Sequence, residues 1–456
     1  MNTFIDTIIA RATPLGKGGI GIIRISGQKS CCVIKYILHI KSMKPRYAYY
    51  LPFYLQNIIV DKGIVLWFPQ PYSYTGEDIL ELHCHGGIVL LEMLIHDIIM
   101  NISGIRIANP GEFTERAFLN KKINLLEAEA VSALIAAESK AAIFAATNLM
   151  NGTLLKLIQP ISNNIIKIRT ILETNIEFME YNEKQLYEKI YKIINYVSIQ
   201  TKQIIKYLLC NLKIQEGIKI TLIGPTNSGK SSLMNLLTQK NISIITNIPG
   251  TTRDVLSTKV NFNSVLINLV DTAGIRKTKD YIESIGIKKT FEEMNNSDYI
   301  FLVVEDMITE NQLSKFLHTV KKNINKKFTI IIRNKIDITN SIANIKVING
   351  WTNITLSVYN KQGISLLMKY IKDNIINQNN NENQFTSKQR HINIFNNIYN
   401  LIEQSKQMFV SKKQYIDIIL LSENFRLMQI ELDSIVGKFT SQNLLDNIFS
   451  DFCVGK

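Results

Sequence analysis

The sequence has few cysteines and no long apolar run. Its five cysteines are odd in number and show no C-x-x-C spacing, so the sequence suggests neither a zinc knuckle nor a secreted disulfide framework. No apolar stretch approaches the ~18 residues that cross a bilayer, and the first residues lack the pattern of a signal peptide. We therefore expect a cytoplasmic protein of a reducing compartment, without a membrane segment.

Length and charge set the next limits. A chain of 456 residues is too long for one core and predicts about two to four domains. Lysine and arginine number 52 against 38 aspartate and glutamate residues, which gives a net charge of +14. This excess favours a polyanionic partner such as nucleic acid or an anionic cofactor, although a drift of the composition toward lysine, asparagine and isoleucine would also produce it.

The most informative stretch is a glycine-framed loop at residues 224–231, GPTNSGKS. It follows the apolar run 218–223 and opens onto a helix-like segment, so free backbone N–H groups converge on one point and form a phosphate-binding loop. Lys230 would reach the outer phosphates, and Ser231 would hold a magnesium ion that bridges them. The alternative is a chance match in a turn rich in glycine and serine.

A second motif, DTAG at residues 271–274, argues against a chance match. It follows the strand-like run 266–270, and this position lets Asp271 hold a water of the magnesium ion while the Gly274 N–H approaches the third phosphate. The motif is therefore the element predicted to sense the third phosphate.

A third motif, NKID at residues 334–337, selects the base. It follows the apolar run 328–332, and Asp337 can accept two parallel hydrogen bonds from guanine that adenine cannot donate. Ser357, at the end of a further strand-like run, is placed to contact the guanine edge. The three motifs together predict GTP binding.

Hydrolysis needs a residue that these motifs do not supply. The position after Gly274 is Ile275, which can neither donate nor accept a hydrogen bond and so cannot orient a water molecule. The candidates are the polar residues of the stretch 276–283. Any one carboxylate in this stretch could equally belong to a solvated face.

The remaining periodicities divide the chain into four parts. Short apolar runs between glycine and proline turns predict an α+β domain over residues 1–120. Helical spacing over residues 121–215, ending once near Gly152 and interrupted strongly only at Pro160, predicts the first part of a helical-bundle domain. A doubly wound α/β domain follows at 216–376. A polar linker at 377–384 then leads into the second helical part, 377–456.

One strand-like segment of the first domain has a polar face. The period of two in a strand places Glu81, His83 and His85 on the same side. A carboxylate and two imidazoles could bind a metal ion, but a third protein ligand for a catalytic zinc is missing locally. A ligand pocket or ordinary hydrogen-bonded histidines are the alternatives.

Across nearly its whole length the sequence resembles the bacterial tRNA-modifying GTPase family called MnmE or TrmE. The C-terminal FCVGK is similar to the ending of that family, with Val454 where isoleucine or leucine is usual. The other matching segments are residues 12–14 (ATP), 19–27 (GIGIIRISG), 74–78 (YTGED), 110–120 (PGEFTERAFLN) and 248–254 (IPGTTRD).

The resemblance implies a GTPase whose nucleotide domains dimerise across a potassium ion, which supplies the positive charge of an arginine finger. It implies that Glu283 positions the attacking water. It places potassium at Asn227, Thr246, Ile248 and Thr251, and magnesium at Ser231 and Thr252. The full set of residues predicted to contact GTP and its cations is Asn227, Ser228, Gly229, Lys230, Ser231, Ser232, Thr246, Thr251, Thr252, Asp271, Thr272, Ala273, Gly274, Asn334, Lys335, Asp337 and Ser357.

For the first domain the resemblance implies a dimer-forming module that binds a formyl or methylene derivative of tetrahydrofolate. The folate-contact positions are Arg24, Glu81, Lys122 and Lys456, where a carboxylate suits the pterin N–H donors and cations suit the glutamyl tail. Cys453 is either a nucleophile in one-carbon transfer or an inert packing thiol.

The resemblance further implies a function with partners. The homodimer would join an FAD-dependent partner of the MnmG (GidA) family in a heterotetramer, and GTP hydrolysis would accompany the addition of an aminomethyl-type group, such as carboxymethylaminomethyl, to carbon 5 of the wobble uridine in tRNA. Two alternatives stay open. One is an RNA-binding GTPase switch in ribosome assembly, and the other is a folate-dependent transferase to which GTP is incidental.

Overall fold

The computed structural model describes residues 6–178, 183–240, 257–262, 265–271, 290–320, 328–376, 384–410, 417–438, 448 and 455. The first part is a mixed sheet with helices. Its strands are β1 (Thr7–Arg11), β2 (Gly18–Ser26), β3 (Tyr49–Leu55), β4 (Ile58–Phe68), β5 (Ile79–Gly86) and β6 (Ile105–Ile107). Its helices are α1 (Ser30–Leu38), α2 (Ile88–Asn101) and α3 (Glu112–Leu119). The strand order is β3-β4-β5-β2-β1-β6, and only β1 and β6 pair in parallel.

The two faces of this sheet differ in polarity. On β2 and β5, residues such as Ile23, Ile25 and Leu82 are buried against α1 and α2. The strand period of two then turns Arg24 and Glu81 to the opposite face, where they are cross-strand partners. One face is thus the core of the domain, and the other is free to carry polar side chains.

Four helices follow, and two details differ from the sequence expectation. They are α4 (Leu125–Ile135), α5 (Lys140–Met150), α6 (Thr153–Phe178) and α7 (Glu183–Glu216). The stretch expected to end once near Gly152 is broken into α4 and α5, because the Ser139 hydroxyl accepts a hydrogen bond from the Ala142 N–H at 3.1 Å and begins a new helix. The expected interruption at Pro160 is wrong. Helix α6 runs through it, with Ile158 and Ile161 buried on either side.

The middle of the chain is an α/β unit around a seven-stranded sheet. Its elements are β7 (Ile218–Ile223), α8 (Lys230–Lys240), β8 (Ser257–Phe262), β9 (Val265–Asp271), β10 (Tyr299–Glu305), α9 (Glu310–Val320), β11 (Thr329–Asn334), α10 (Ile336–Thr339), β12 (Ile345–Ile348), β13 (Trp351–Thr355), α11 (Ile364–Tyr370) and the π-helical segment Ile371–Ile376. The order is β12-β13-β11-β10-β7-β9-β8. The five inner strands are parallel, and the two edge strands are antiparallel to their neighbours.

Two further helices, α12 (Gln389–Val410) and α13 (Ile418–Val436), complete the helical part. They share one apolar core with α6 and α7, in which Ile165, Ile194, Phe395 and Phe425 are fully buried. Because α7 and α12 flank the α/β unit in sequence but pack together in space, the α/β unit is inserted into a helical domain. The predicted fold class is confirmed, and the domain boundaries stay predictions.

The helices were also compared with the requirements of a membrane span. In the described part of the chain, no single helix is long and apolar enough to cross a bilayer. One bent pair, Lys140–Met150 with Thr153–Glu177, passes the same test of length and composition.

Candidate functional site

The loop 224–231 joins β7 to α8 at the carboxyl edge of the parallel sheet. Gly224 and Gly229 both have positive φ, and both lie against other parts of the edge. A Cβ atom on Gly224 would stand 2.0 Å from the Val303 carbonyl oxygen, and one on Gly229 would stand 2.3 Å from Asn334 Nδ2. The loop therefore needs glycine at both positions to lie close to β10 and β11 and to turn its N–H groups outward.

Lys230 is folded into the loop that it terminates. Its side chain is buried, and Nζ donates to the carbonyl oxygens of Gly224 at 3.2 Å and Pro225 at 2.8 Å. Burial lowers the pKa of Lys230 below its ordinary value, and the charge of Asp271 opposes this shift. An anion at the loop would offer Nζ charged oxygens in place of two neutral carbonyls.

Ser231 and Asp271 meet at the mouth of the loop. The Ser231 hydroxyl donates to Asp271 Oδ2 at 2.6 Å, which joins the start of α8 to the end of β9. Asp271 Oδ1 is buried, and within the described residues it has no hydrogen-bond partner. An unsatisfied carboxylate oxygen beside a hydroxyl fits a hard divalent cation such as Mg²⁺, directly or through its water.

Asn334 connects the phosphate loop to the segment that follows β13. Its Nδ2 donates to the Ser228 carbonyl at 3.0 Å, and its Oδ1 accepts from the Val358 N–H at 3.0 Å. Both ends of this buried amide are satisfied, so it fixes the distance between the two segments. The sequence pointed to Asn334 as a base-selecting residue but gave no sign of this bridge.

Asp337 lies at the same edge, on the short helix α10. It is half-buried and accepts a hydrogen bond from the Ser357 hydroxyl, which also accepts from the Asn360 N–H at 3.1 Å. Lys335 has a positive φ of 69° and contacts the Glu305 carboxylate at the end of β10. The structure thus brings the three NKID residues and Ser357 together, and their contacts with guanine stay predictions.

Several residues predicted for this site lie outside the described part of the chain. They are Thr246, Ile248, Thr251, Thr252, Thr272, Ala273, Gly274 and Glu283. Asn227 is described: it is exposed, with a positive φ of 62°. Ser228 is buried in the loop, and Ser232 is exposed on the first turn of α8.

The polar face of the first domain is a second candidate site. Arg24 Nε donates to Glu81 Oε1 at 2.8 Å, and its Nη1 donates to the Gly455 carbonyl at 3.5 Å. The Arg24 guanidinium also lies 5.9 Å from the centre of the Phe113 ring. The backbone near the C-terminus is thus placed beside Arg24, although Cys453 and Lys456 lie outside the described residues.

Glu81 stays ionised on this face. His83 Nε2 lies 3.3 Å from Glu81 Oε2, and this hydrogen bond, followed by the charge of Arg24, lowers the pKa of Glu81 against the opposing effect of burial. His85 Nδ1 contacts Asp61 at 2.6 Å, away from Glu81. Among the described residues no group of three or more His, Cys, Asp or Glu side chains could hold a metal ion, which leaves the ligand-pocket alternative.

Lys122 lies near the loop that joins β4 to β5. Its Nζ donates to the Pro71 carbonyl at 2.9 Å. The same loop is held by Glu77, which accepts from the Ser26 hydroxyl at 2.7 Å and from Arg116 Nη1 at 3.2 Å. Arg116 is fully buried, and the sequence gave it no role beyond the motif match.

The comparisons with known proteins cover the whole chain. The family model described as "GTP-binding protein TrmE N-terminus" matches residues 7–122, and the one described as "MnmE helical domain" matches residues 125–453. A relative described as tRNA modification GTPase MnmE from Blochmanniella pennsylvanica (strain BPEN) is 40% identical over 477 residues, covering 100% of both chains. Another of that description, from Actinobacillus pleuropneumoniae serotype 3 (strain JL03), is 38% identical and covers 99% of this chain and 100% of its own.

A solved structure was also found by shape. It is described as the FeoB G-domain from Methanococcus jannaschii, is 27% identical, and covers 34% of this chain and 95% of its own, with a TM-score of 0.27.

Proposed function

The chain belongs to the MnmE family of tRNA modification GTPases, and we propose that it couples potassium-dependent GTP hydrolysis to the modification of carbon 5 of the wobble uridine. As a member of this family it is a GTP-hydrolysing enzyme that acts in tRNA modification. The group added would be of the aminomethyl type, such as carboxymethylaminomethyl, and its carbon would come from a formyl or methylene tetrahydrofolate. An FAD-dependent partner of the MnmG (GidA) family would complete the enzyme.

The observation that carries this proposal is the convergence of Lys230, Ser231, Asp271 and Asn334 at one edge of a parallel sheet. Ligands of open α/β sheets bind at the carboxyl ends of the strands. On binding of GTP, Lys230 Nζ would exchange its two carbonyl acceptors for phosphate oxygens, and the outward N–H groups of the loop would donate to the same phosphates. Guanine would lie against Asp337, which Ser357 orients.

Two cations are part of the proposal. Ser231 and Thr252 would hold Mg²⁺, with Asp271 on its water, and Asn227, Thr246, Ile248 and Thr251 would hold K⁺. Both ions would supply positive charge to the phosphates when bound. The exposed side chain of Asn227, beside the loop, is the described residue available for the potassium site.

Glu283 is the residue proposed to position the attacking water. Replacing it by alanine is expected to lower the GTP hydrolysis rate about 100-fold, because the water loses its orienting acceptor, while GTP affinity stays within about twofold. Phosphate release and binding of a fluorescent GTP analogue measure the two quantities. Glu292→Ala, an exposed carboxylate of the same unit, is the control. Equal hydrolysis by the Glu283 variant and the wild type would move the water-positioning role to another residue.

Potassium dependence gives the next prediction. Hydrolysis in KCl is expected to be about tenfold faster than in NaCl at equal ionic strength, because a cation of the right size replaces an arginine finger beside the phosphates. Asn227→Ala should reduce the rate in KCl to the rate in NaCl, whereas Asn235→Ala, exposed on α8, should keep the difference. Equal rates of the wild type in both salts would remove the role given to Asn227.

The folate proposal rests on the Arg24–Glu81 pair. An ionised carboxylate bonded to a guanidinium offers acceptors to the adjacent N–H groups of a pterin, and Lys122 and Lys456 would meet the glutamyl tail. Cys453 is proposed as the nucleophile in carbon transfer, with a packing role as the alternative. GTP and tRNA are the substrates, and we expect the reaction to take place in the cytoplasm.

The experiment that tests the function is a reconstitution. The purified chain, the FAD-dependent partner, methylene tetrahydrofolate and GTP are incubated with unmodified tRNA, and the mass of the wobble nucleoside is measured. A mass increase that requires all components supports the proposal, including the heterotetramer of a homodimer with its partner. GTP hydrolysis with no change in any tRNA would favour the ribosome-assembly switch instead.

A further inference from the structure

A buried charged cluster lies where three helices of the helical domain meet. Its centre is Glu129 on α4, which is fully buried together with His391 on the first turn of α12. Arg390, beside His391, is 15% exposed. Neither nucleotide binding nor the folate face uses these residues.

The hydrogen bonds of the cluster leave one arrangement of protons. The Lys388 N–H donates to His391 Nδ1 at 3.3 Å, so in the neutral ring the proton is on Nε2. Nε2 then donates to Glu129 Oε2 at 2.9 Å. Arg390 donates to both oxygens of Glu129, at 3.3 and 3.1 Å. Burial raises the pKa of Glu129, but His391 and Arg390 outweigh burial and lower it to about 2.

Arg390 also reaches a third element. Its Nη1 donates to the Ser434 carbonyl at 3.1 Å, and its Nη2 to the Ile435 carbonyl at 3.5 Å. These carbonyls belong to the last turn of α13, where a helix has unpaired acceptors and its negative dipole end. One guanidinium therefore joins Glu129 of α4 to the end of α13, and its position is fixed at both sides.

The start of α12 is tied to the α/β unit through α5. The Thr386 N–H donates to the Ala145 carbonyl at 3.0 Å, and Asn148 Nδ2 donates to the Gln384 carbonyl at 2.7 Å. On the other side of α5, Ala141 and Ala145 belong to the apolar core of the α/β unit. Helix α5 is thus packed between the nucleotide unit and the segment that leads to Arg390.

The end of α13 is tied to the first domain. Gly437 caps the helix with a positive φ, and its backbone lies so close to Phe118 of α3 that a Cβ atom would stand 2.6 Å from that ring. Ile448 packs against Leu125 and Ala128 of α4. Further along, the Gly455 carbonyl lies beside Arg24 on the folate face. The segment after α13 therefore leads to the candidate folate site.

We propose that Glu129, Arg390 and His391 form a positioning junction that passes a change of state in the nucleotide unit to the end of α13 and the C-terminal residues at the folate face. This inference rests on the proposed function. A buried ion pair is weak evidence for stability, because apolar side chains of similar volume often fill its place without loss. What apolar side chains cannot replace is the fixed, directional connection of three helices that Arg390 makes.

The test uses Arg390→Lys in the full chain, which keeps the charge but loses the planar fork. Arg426→Lys, an exposed arginine of α13 paired with Glu423, is the matched control. Amide hydrogen exchange of residues 433–437 is measured with and without a non-hydrolysable GTP analogue. In the wild type and the control, the analogue should change the exchange rate about fivefold or more, and in Arg390→Lys this change should be lost.

A second readout separates positioning from folding. GTP turnover by Arg390→Lys should stay within about twofold of the wild type, while modified uridine per GTP hydrolysed falls about tenfold or more. If thermal denaturation shows that this variant is unfolded at the assay temperature, Glu129→Gln, which keeps shape and the acceptor for His391, takes its place. An unchanged exchange response in a folded variant, or no response in the wild type, would overturn the junction. Wild-type exchange that responds without any tRNA product would instead contradict the proposed function.

Discussion

Asp337→Asn is expected to weaken GTP binding about 1,000-fold and to give the enzyme affinity for xanthosine triphosphate. The carboxylate accepts from N1–H and the 2-amino group of guanine, and an asparagine NH₂ would place a donor against one of these donors. Xanthine carries an oxygen at position 2, which accepts from that NH₂. The Ser357 hydroxyl, which donates to Asp337 now, can still donate to the asparagine oxygen, so the loop should keep its shape.

Equilibrium binding of the two nucleotides, each titrated into the nucleotide-free protein, measures this switch. Asp373→Asn, an exposed position on the π-helical segment of the same unit, should bind GTP as the wild type does. A variant that binds GTP with wild-type affinity would place the base somewhere other than against Asp337. Loss of GTP without gain of xanthosine triphosphate would point to damage of the loop, which thermal denaturation would detect.

Lys230→Ala is expected to lower kcat/KM for GTP hydrolysis at least about 1,000-fold. The side chain supplies a charge to the outer phosphates in a buried setting, where electrostatic interactions are stronger than in water. In the nucleotide-free protein the same ammonium is held only by the Gly224 and Pro225 carbonyls. Its removal leaves these two carbonyls with one partner fewer and is therefore expected to cost less in folding than in catalysis.

Phosphate release under saturating and subsaturating GTP gives kcat and KM separately. The control is Lys219→Ala, on the neighbouring strand β7, whose ammonium pairs with Glu293 at 2.7 Å. It should hydrolyse GTP within about twofold of the wild type. If Lys230→Ala retained a tenth of the activity, the phosphates would not be bound where the loop places them.

The nucleotide unit was predictable because its signals are local. The run 218–223 is buried on both faces of a parallel sheet and therefore reads as continuously apolar, and the observed β7 has those bounds. Glycine at 224 and 229 is required by close approach of the backbone to Val303 and Asn334. Such constraints leave their mark on residue type, and the loop, its strand and its helix could be located from sequence alone.

Contacts between distant segments left no such mark. The Ser231–Asp271 bond and the bridge of Asn334 from Ser228 to Val358 depend on how the strands are ordered, which periodicity does not give. Pro160 misled for a related reason: its local preference against helix interiors is outweighed by the buried core around α6.

The charged junction is the clearest case of a feature hidden in the sequence. Glu129 lies in the run EAEAV, where a glutamate among alanines reads as an exposed helix former, and its partner Arg390 is 261 residues away. Only the return of α12 and α13 to the first helices brings them together. Sequence alone therefore gave the chemistry of the nucleotide site better than the connections between sites.

The central claim is that cleavage of GTP is required for modification of the tRNA. The most direct measurement is the yield of modified wobble uridine in the reconstituted reaction with GTP, compared with a GTP analogue that binds but is not hydrolysed. Product should form with GTP and stay at least about tenfold lower with the analogue. Equal yields with both nucleotides would contradict the account and leave GTP as an incidental ligand.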